Sequence, residues 1–242
     1  MDILNDDLIA FILSLTDTKT IGKCLTINKK WKQIIEIYSW LFDLDFSCTK
    51  IKDESLKYFK NAKQIKLDRC YQITDNGLKY LKGIHTINLW CCNQITDDGL
   101  KYLQGVHTID LYECNKITDN GLKYLKGVYS INLGCCNKIT NVGLGYLQGV
   151  HTINLSSCNQ ITDAGLEYLK GVHTINLGWC NKITDKGLEY LKGIHTINLS
   201  GCNNITNIGL KYLQGVNIID LWDCNKITDK GLKYLKEAKI YR

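Results

Sequence analysis

Histidine and cysteine carry the chemistry to be weighed first in this sequence, because both recur at fixed intervals. His85, His107, His151, His173 and His195 fall in one column, which Tyr129 and Asn217 share. Imidazoles serve as metal ligands and general bases. A ligand set must converge on a point, whereas these histidines stand one repeat apart in a line, so they read as a ladder or as surface histidines. Cys91-Cys92 and Cys135-Cys136 are vicinal pairs, but Cys92 and Cys136 belong to an apolar column. That leaves Cys91 and Cys135, two repeats apart and too few for a zinc site. The sequence contains no glycine-rich phosphate loop, no convergent carboxylate pair and no nucleophile–base–orienter set. The reading is therefore of a chain that is not an enzyme, with no metal and no cofactor. Asn204-Ile205-Thr206 fits the glycosylation pattern, which in a repeat turn is a chance match.

What positions all of these residues is a period of 22. Cysteine recurs at Cys70, Cys92, Cys114, Cys136, Cys158, Cys180, Cys202 and Cys224, and tyrosine keeps the same interval from Tyr58 to Tyr234. A fixed period in this range marks a solenoid. Within one unit, Ile87 and Leu89 alternate with Thr86, Asn88 and Trp90, which predicts a short strand with the first two facing inward. Asp97 is expected to cap a short helix carrying Leu100 and Leu103, with Gly105 at a left-handed helix end. The Asn93 column is expected to hydrogen-bond turn backbone, and the Gly99 column to let the helix start approach the next repeat. Each unit is thus a strand, a turn and a two-turn helix.

Composition fits that frame. Hydrophobic residues make up 45% and charged residues 22% of the 242, which describes a folded chain. The acidic start, Met1 to Asp7, is unlike a secretory signal, and the run Leu8–Leu13 is too short to span a bilayer. The reading is of a cytoplasmic protein, with the nucleus as the second compartment. The 12 cysteines are expected as reduced, buried thiols. The formal charge of +6 belongs to the repeats, since residues 1–47 hold five lysines against seven acidic residues.

Those first residues lack the period. Leu8, Phe11, Ile12 and Leu15 lie on one face of a first helix; Thr18 or Thr20 is expected to cap a second; Asn28 is expected to cap a third with Trp31, Ile34, Ile35 and Tyr38. Three short helices bury little alone and are expected to lean on the first repeat or on a partner. The series Leu4, Asp7-Leu8, Ile12-Leu13-Ser14-Leu15, Ile21, Leu25, Ile27, Lys29-Lys30-Trp31 and Ser39-Trp40 resembles an F-box. It departs from that motif at Asn5, where the family usually has proline, at Ile27-Asn28 and at Ser39. The plainer alternative is a helical cap on the solenoid end.

The repeat, with its Leu-x-x-Cys-x-x-Ile-Thr-Asp-x-Gly-Leu pattern, resembles the leucine-rich repeat in its cysteine-containing variety. The resemblance covers about residues 44–240: eight full units after one degenerate unit. It implies an α/β fold, a leucine-rich-repeat solenoid with a parallel sheet on the concave side and short helices on the convex side. A small all-α F-box-like domain over residues 1–43 would precede the solenoid of 44–242. Lys239-Ile240-Tyr241 stands where a further strand would begin.

Binding, then, should reside where residues vary while the skeleton stays fixed. Two columns follow the inward leucine: Asp68, Trp90, Tyr112, Gly134, Ser156, Gly178, Ser200, Trp222, and Arg69, Cys91, Glu113, Cys135, Ser157, Trp179, Gly201, Asp223. Aromatic residues dominate interface energetics. With Asp110 and Asp220 beside them, Trp90, Tyr112, Glu113, Trp179, Trp222 and Asp223 are the candidate substrate-binding residues, for a protein partner offering a basic segment. Lysines on the helix side read as a solvated face, so neither nucleic acid nor a membrane is an expected partner.

The combined resemblance is to the substrate receptors of SCF-type (cullin–RING) ubiquitin ligases. It implies docking on a Skp-type adaptor through Leu4, Leu8, Ile12, Leu15, Ile27 and Trp31. The alternatives left open are a scaffold or decoy that binds a partner without ubiquitylation, and a basic solenoid on nucleic acid. The near-identical repeats, the absence of proline and the bias toward Ile, Asn, Lys and Tyr are similar to such proteins of giant DNA viruses of amoebae or of AT-rich protists. A viral origin would make the ligase a host one.

Overall fold

The computed structural model describes residues 5–242. Three helices come first: α1 (Asp6–Ser14), α2 (Thr18–Cys24) and α3 (Lys29–Tyr38). Each begins at a side-chain cap that satisfies an amide the helix leaves unpaired. Asn5 accepts from Asp7 N at 2.6 Å, Asp17 from Thr20 N at 2.7 Å and Asn28 from Trp31 N at 3.1 Å. The cap of α2 is therefore Asp17 and not Thr18 or Thr20. Thr18 instead ties α2 to the first strand, its hydroxyl donating to Asp43 O at 3.1 Å and accepting from Asp45 N at 2.8 Å. Lys60 pairs with Glu36, and Asn61 Nδ2 donates to Glu36 O at 2.9 Å, which fixes α3 to the first repeat. One core runs without a break from Ile9 to Leu235.

Among the described residues the sheet has ten parallel strands in sequence order. It starts at β1 (Leu44–Asp45) and β2 (Gln64–Lys66), continues through β3 (Thr86–Asn88), β4 (Thr108–Asp110), β5 (Ser130–Asn132), β6 (Thr152–Asn154), β7 (Thr174–Asn176) and β8 (Thr196–Asn198), and reaches β9 (Ile218–Asp220) and β10 (Lys239–Tyr241). Neighbouring strands pair at the repeat interval, Ile87 against Ile109 and Ile109 against Ile131, so like residues stack on like. From β2 to β9 the central isoleucine and the leucine after the strand point into the core, while Thr86 and Asn88 line the concave face. After the corner cysteine the chain turns into one α-helical turn (Asp97–Leu100) and one 3-10 turn (Lys101–Leu103). Gly105 then reverses direction at φ +81°.

The cysteine column does more than fill space. Cys92 Sγ donates to Leu67 O of the preceding repeat at 3.0 Å, and the same bond recurs at Cys114, Cys136 and on to Cys224. Burial pushes the Cys92 thiol up to about 12, so it stays protonated and keeps its donor.

Two architectural columns act differently from expectation. Asp97 is not the N-cap. That position is Thr96, whose side chain accepts from Asp98 N at 3.3 Å. The aspartate column instead links repeats: Asp97 Oδ1 accepts from Thr118 N at 2.8 Å and Oδ2 from Thr118 Oγ1 at 2.6 Å. A glycine of the following repeat makes room for each of these side chains. A Cβ at Gly187 would lie 2.5 Å from Asp163 Oδ1, so this column does allow the close approach. The turn bonds expected of the Asn93 column are made by the Asn88 column, whose Oδ1 accepts from Trp90 N at 2.8 Å. The Asn93 column is largely exposed, and among the described residues only Asn203 and Asn225 direct an amide to a turn carbonyl, both at 3.4 Å.

Candidate protein-binding surfaces

Of the six residues expected on the adaptor face, Leu4 lies outside the described residues. On α1 the buried face is Ile9, Ala10 and Leu13. The opposite side carries Leu8 at 44%, Ile12 at 45% and Leu15 at 73% exposure, joined by Phe11. Ile27, between α2 and α3, is also exposed, whereas Trp31 is half-buried and packs on the core. Phe11 is absent from the sequence-derived set although its i+3 spacing from Leu8 places it on the same stripe.

The second surface is the rim where the strands end. The two variable columns do not both belong to the open sheet face. The second one lies in a left-handed turn: Arg69, Cys91, Glu113, Cys135, Ser157, Trp179 and Asp223 all have φ between 56 and 63°. The strand ends early because the Asn88-column side chain captures the amide two residues on, at 2.9 Å from Asp110 to Tyr112 and from Asp220 to Trp222. The turn swings these side chains to the edge of the concave groove, a space of about 410 Å³ floored by the short Thr86 and Asn88 columns.

At the N-terminal end of the rim, Trp90 and Tyr112 meet edge to face with centroids 5.8 Å apart. The Arg69 guanidinium sits over the Trp90 ring at 4.4 Å. Cys91 donates its thiol to Glu113 Oε2 at 2.8 Å, and Cys135 donates to the Tyr112 hydroxyl at 3.2 Å. Burial, then the Glu113 carboxylate, pushes the Cys91 thiol up to about 11. Trp90 Nε1 is a buried donor without a partner among the described residues. Asp110 is half-buried with both oxygens engaged, the second by Asn132 Nδ2 at 3.0 Å, and burial raises its pKa.

At the other end, Trp179 and Trp222 meet at 6.0 Å and 64°, exposed by 42% and 56%. They come from strands two repeats apart, and the repeat between contributes Gly201. Asp223 is exposed, while Asp220 Oδ2 accepts from Asn198 Nδ2 at 3.2 Å. Sequence reasoning names all of these aromatics and acids. It misses Arg69 as the cation over Trp90, and Gly134 and Gly201 as the residues whose missing side chains let Tyr112 and Trp179 lie flat: a Cβ at either would come within 2.6 Å of the ring.

The histidine column is a stack. His85, His107, Tyr129, His151, His173 and His195 follow one another with centroids 4.4 to 4.7 Å apart. Among the described residues no three histidine, cysteine or acidic side chains gather where a metal would sit. On the convex side, lysines lie over tyrosine rings, as Lys82 and Lys101 do over Tyr102 at 5.5 and 5.2 Å. No described helix is long and apolar enough to cross a membrane.

This geometry defines a leucine-rich-repeat solenoid, and comparison with known proteins agrees. Residues 84–103, 150–170 and 172–192 match a family model described as a leucine-rich repeat. A search of curated protein sequences finds no significant match. The structure is similar to internalin C2 of Listeria monocytogenes, with 21% identity over 88% of this chain and 96% of that one, at a TM-score of 0.61. It is also similar to an internalin, inlF, of the same organism, with 18% identity over 86% and 71% of the two chains and a TM-score of 0.62. A third likeness is to a chain of the Toll–Spatzle complex of Drosophila, with 15% identity over 86% of this chain and 29% of that one, at 0.57. Identities this low establish the fold.

Proposed function

We propose that the chain is a non-catalytic adaptor that holds a protein partner on its repeat rim and docks through its N-terminal helices on a Skp-type adaptor of a cullin–RING ubiquitin ligase. The observation that carries this is the apolar stripe of α1. Leu8, Phe11, Ile12 and Leu15 are exposed although Ile9, Ala10 and Leu13 already supply the core contact. A contiguous apolar stripe left in water marks an interaction site, and Leu8, Ile12 and Leu15 are among the residues at which the N-terminal segment resembles an F-box. Leucine-rich-repeat folds typically serve as binding scaffolds, which supports a rim that captures a partner. The chain performs no bond chemistry in this reading; it raises the effective concentration of partner lysines near the ligase. It acts in the cytoplasm or nucleus, in a host cell if the protein is viral.

Asn5 favours a second reading. It caps α1 at the position of the family's proline, in the segment that would meet the adaptor, which fits a scaffold or decoy that binds its partner on the rim without ubiquitylation. Co-purification of the full chain with a Skp-type adaptor separates the two. The unaltered chain should retain the adaptor and Leu8→Asp should lose it. No retention by the unaltered chain overturns the ligase reading in favour of the scaffold or decoy.

A further inference from the structure

The two ends of the rim are built from the same columns, yet among the described residues the N-terminal end carries its own cation over the indole. At the N-terminal end Trp90 carries the Arg69 guanidinium at 4.4 Å, and Glu113 is engaged by the Cys91 thiol. Trp222 stands in the column of Trp90, six repeats further on. In the preceding unit, the position that holds Arg69 beside Trp90 is Gly201, so no cation of the chain's own reaches Trp222 from there. Trp179, in the Arg69 column, lies across Gly201 and meets Trp222, forming a two-walled aromatic corner exposed to solvent. Asp223 follows directly; Asn225 Nδ2 donates to its Oδ1 at 3.1 Å, and its Oδ2 has no hydrogen bond among the described residues.

We propose that the corner formed by Trp179, Trp222 and Asp223 receives an arginine side chain of the protein partner. This rests on the reading of the rim as a protein-binding face and is independent of the adaptor docked on α1. Arginine fits because its planar guanidinium stacks on an indole while its N–H groups reach a carboxylate in the same plane. The Arg69–Trp90 stack shows the same pairing within this chain. An acidic side chain would meet Asp223 and Asp220, and a purely apolar one would bury Asp223 without a partner. The corner is thus the open half of the basic-segment site, and the Trp90 end is the closed half.

The test uses the full chain and two fluorescent pentapeptides of alternating glycine and arginine, one with citrulline in place of arginine. Citrulline keeps the shape and removes the charge. The arginine peptide should bind saturably and about tenfold more tightly than the citrulline one. Trp222→Ala and Asp223→Asn should each weaken it by about fivefold, whereas Lys101→Met, on the convex side over Tyr102, should leave it unchanged. Asp223→Asn preserves volume at an exposed site and so controls for misfolding in Trp222→Ala. Equal binding of both peptides, no binding of either, or full binding by both variants overturns the proposal. A chain that retains the Skp-type adaptor but ignores arginine overturns this inference alone; the reverse result overturns the ligase reading alone.

Discussion

Asp119 holds Thr140 of the next repeat by two bonds, from Thr140 N to Oδ1 at 2.8 Å and from Thr140 Oγ1 to Oδ2 at 2.6 Å. Thr140 in turn accepts from Val142 N at 3.2 Å and so caps its own helix. The hydroxyl relays one contact into the other: the carboxylate takes its proton and leaves its lone pairs for the amide. Where the column holds asparagine, the relay stops. Asn141 Nδ2 donates to Thr162 Oγ1 at 2.8 Å, Asn207 Nδ2 to Thr228 Oγ1 at 2.9 Å, and neither Thr162 nor Thr228 makes a side-chain cap.

Replacing Asn141 by aspartate should therefore restore the cap at Thr162. A gain of about 0.5–1 kcal/mol is expected from one helix cap, read as a higher urea midpoint with an unchanged slope. A midpoint at or below that of the unaltered chain would show that the relay contributes nothing.

The rim turn places ordinary residues in a left-handed conformation that glycine adopts freely. Ser157 sits there at φ 59°, and Gly201 fills the same column. Relief of that strain, about 1 kcal/mol, exceeds the flexibility that glycine adds to the unfolded chain, so Ser157→Gly should raise stability by roughly 0.5 kcal/mol. Thermal unfolding checks it, with a rise in Tm as the expected sign.

Asp110 links stability to pH. Burial raises its pKa above the usual carboxylate range in the folded chain. A raised folded pKa means that its contribution is fully present below the unfolded value of about 3.9 and is lost as pH rises through the folded one. At neutral pH the buried charge therefore costs stability. Asparagine occupies this column at Asn132, where Oδ1 still accepts from Gly134 N at 3.0 Å. Asp110→Asn should keep the turn through Oδ1, lose the bond from Asn132 Nδ2 and flatten this part of the acid profile. Denaturant midpoints measured across the acid range for both chains decide it.

Much of this was legible in the sequence because stacking like on like turns each column into one structural role. The buried Ile87, Leu89 and Cys92 columns, the Gly105 reversal and the extra strand at Lys239–Tyr241 all follow from periodicity. Periodicity assigns a column, however, not a direction. Thr96 and Asp97 are both good capping residues, and nothing in their spacing says that one caps its own helix while the other reaches into the next repeat. The left-handed rim turn was hidden for a similar reason. Its occupants include Arg69, Glu113 and Trp179, none of which signals a positive φ, and the cause lies two residues earlier in the Asn88 column. Contacts such as Arg69 over Trp90 depend on neighbours 21 residues apart in the chain, which no local pattern shows.

Hydrogen–deuterium exchange of the full chain, with and without a purified Skp-type adaptor, tests the central claim most directly. The account predicts that the adaptor slows exchange in Asp6–Ser14 and around Ile27, and leaves the rim segments containing Trp179 and Trp222 unchanged and open to a partner. Protection confined to the rim, or no change anywhere along the chain, would contradict it.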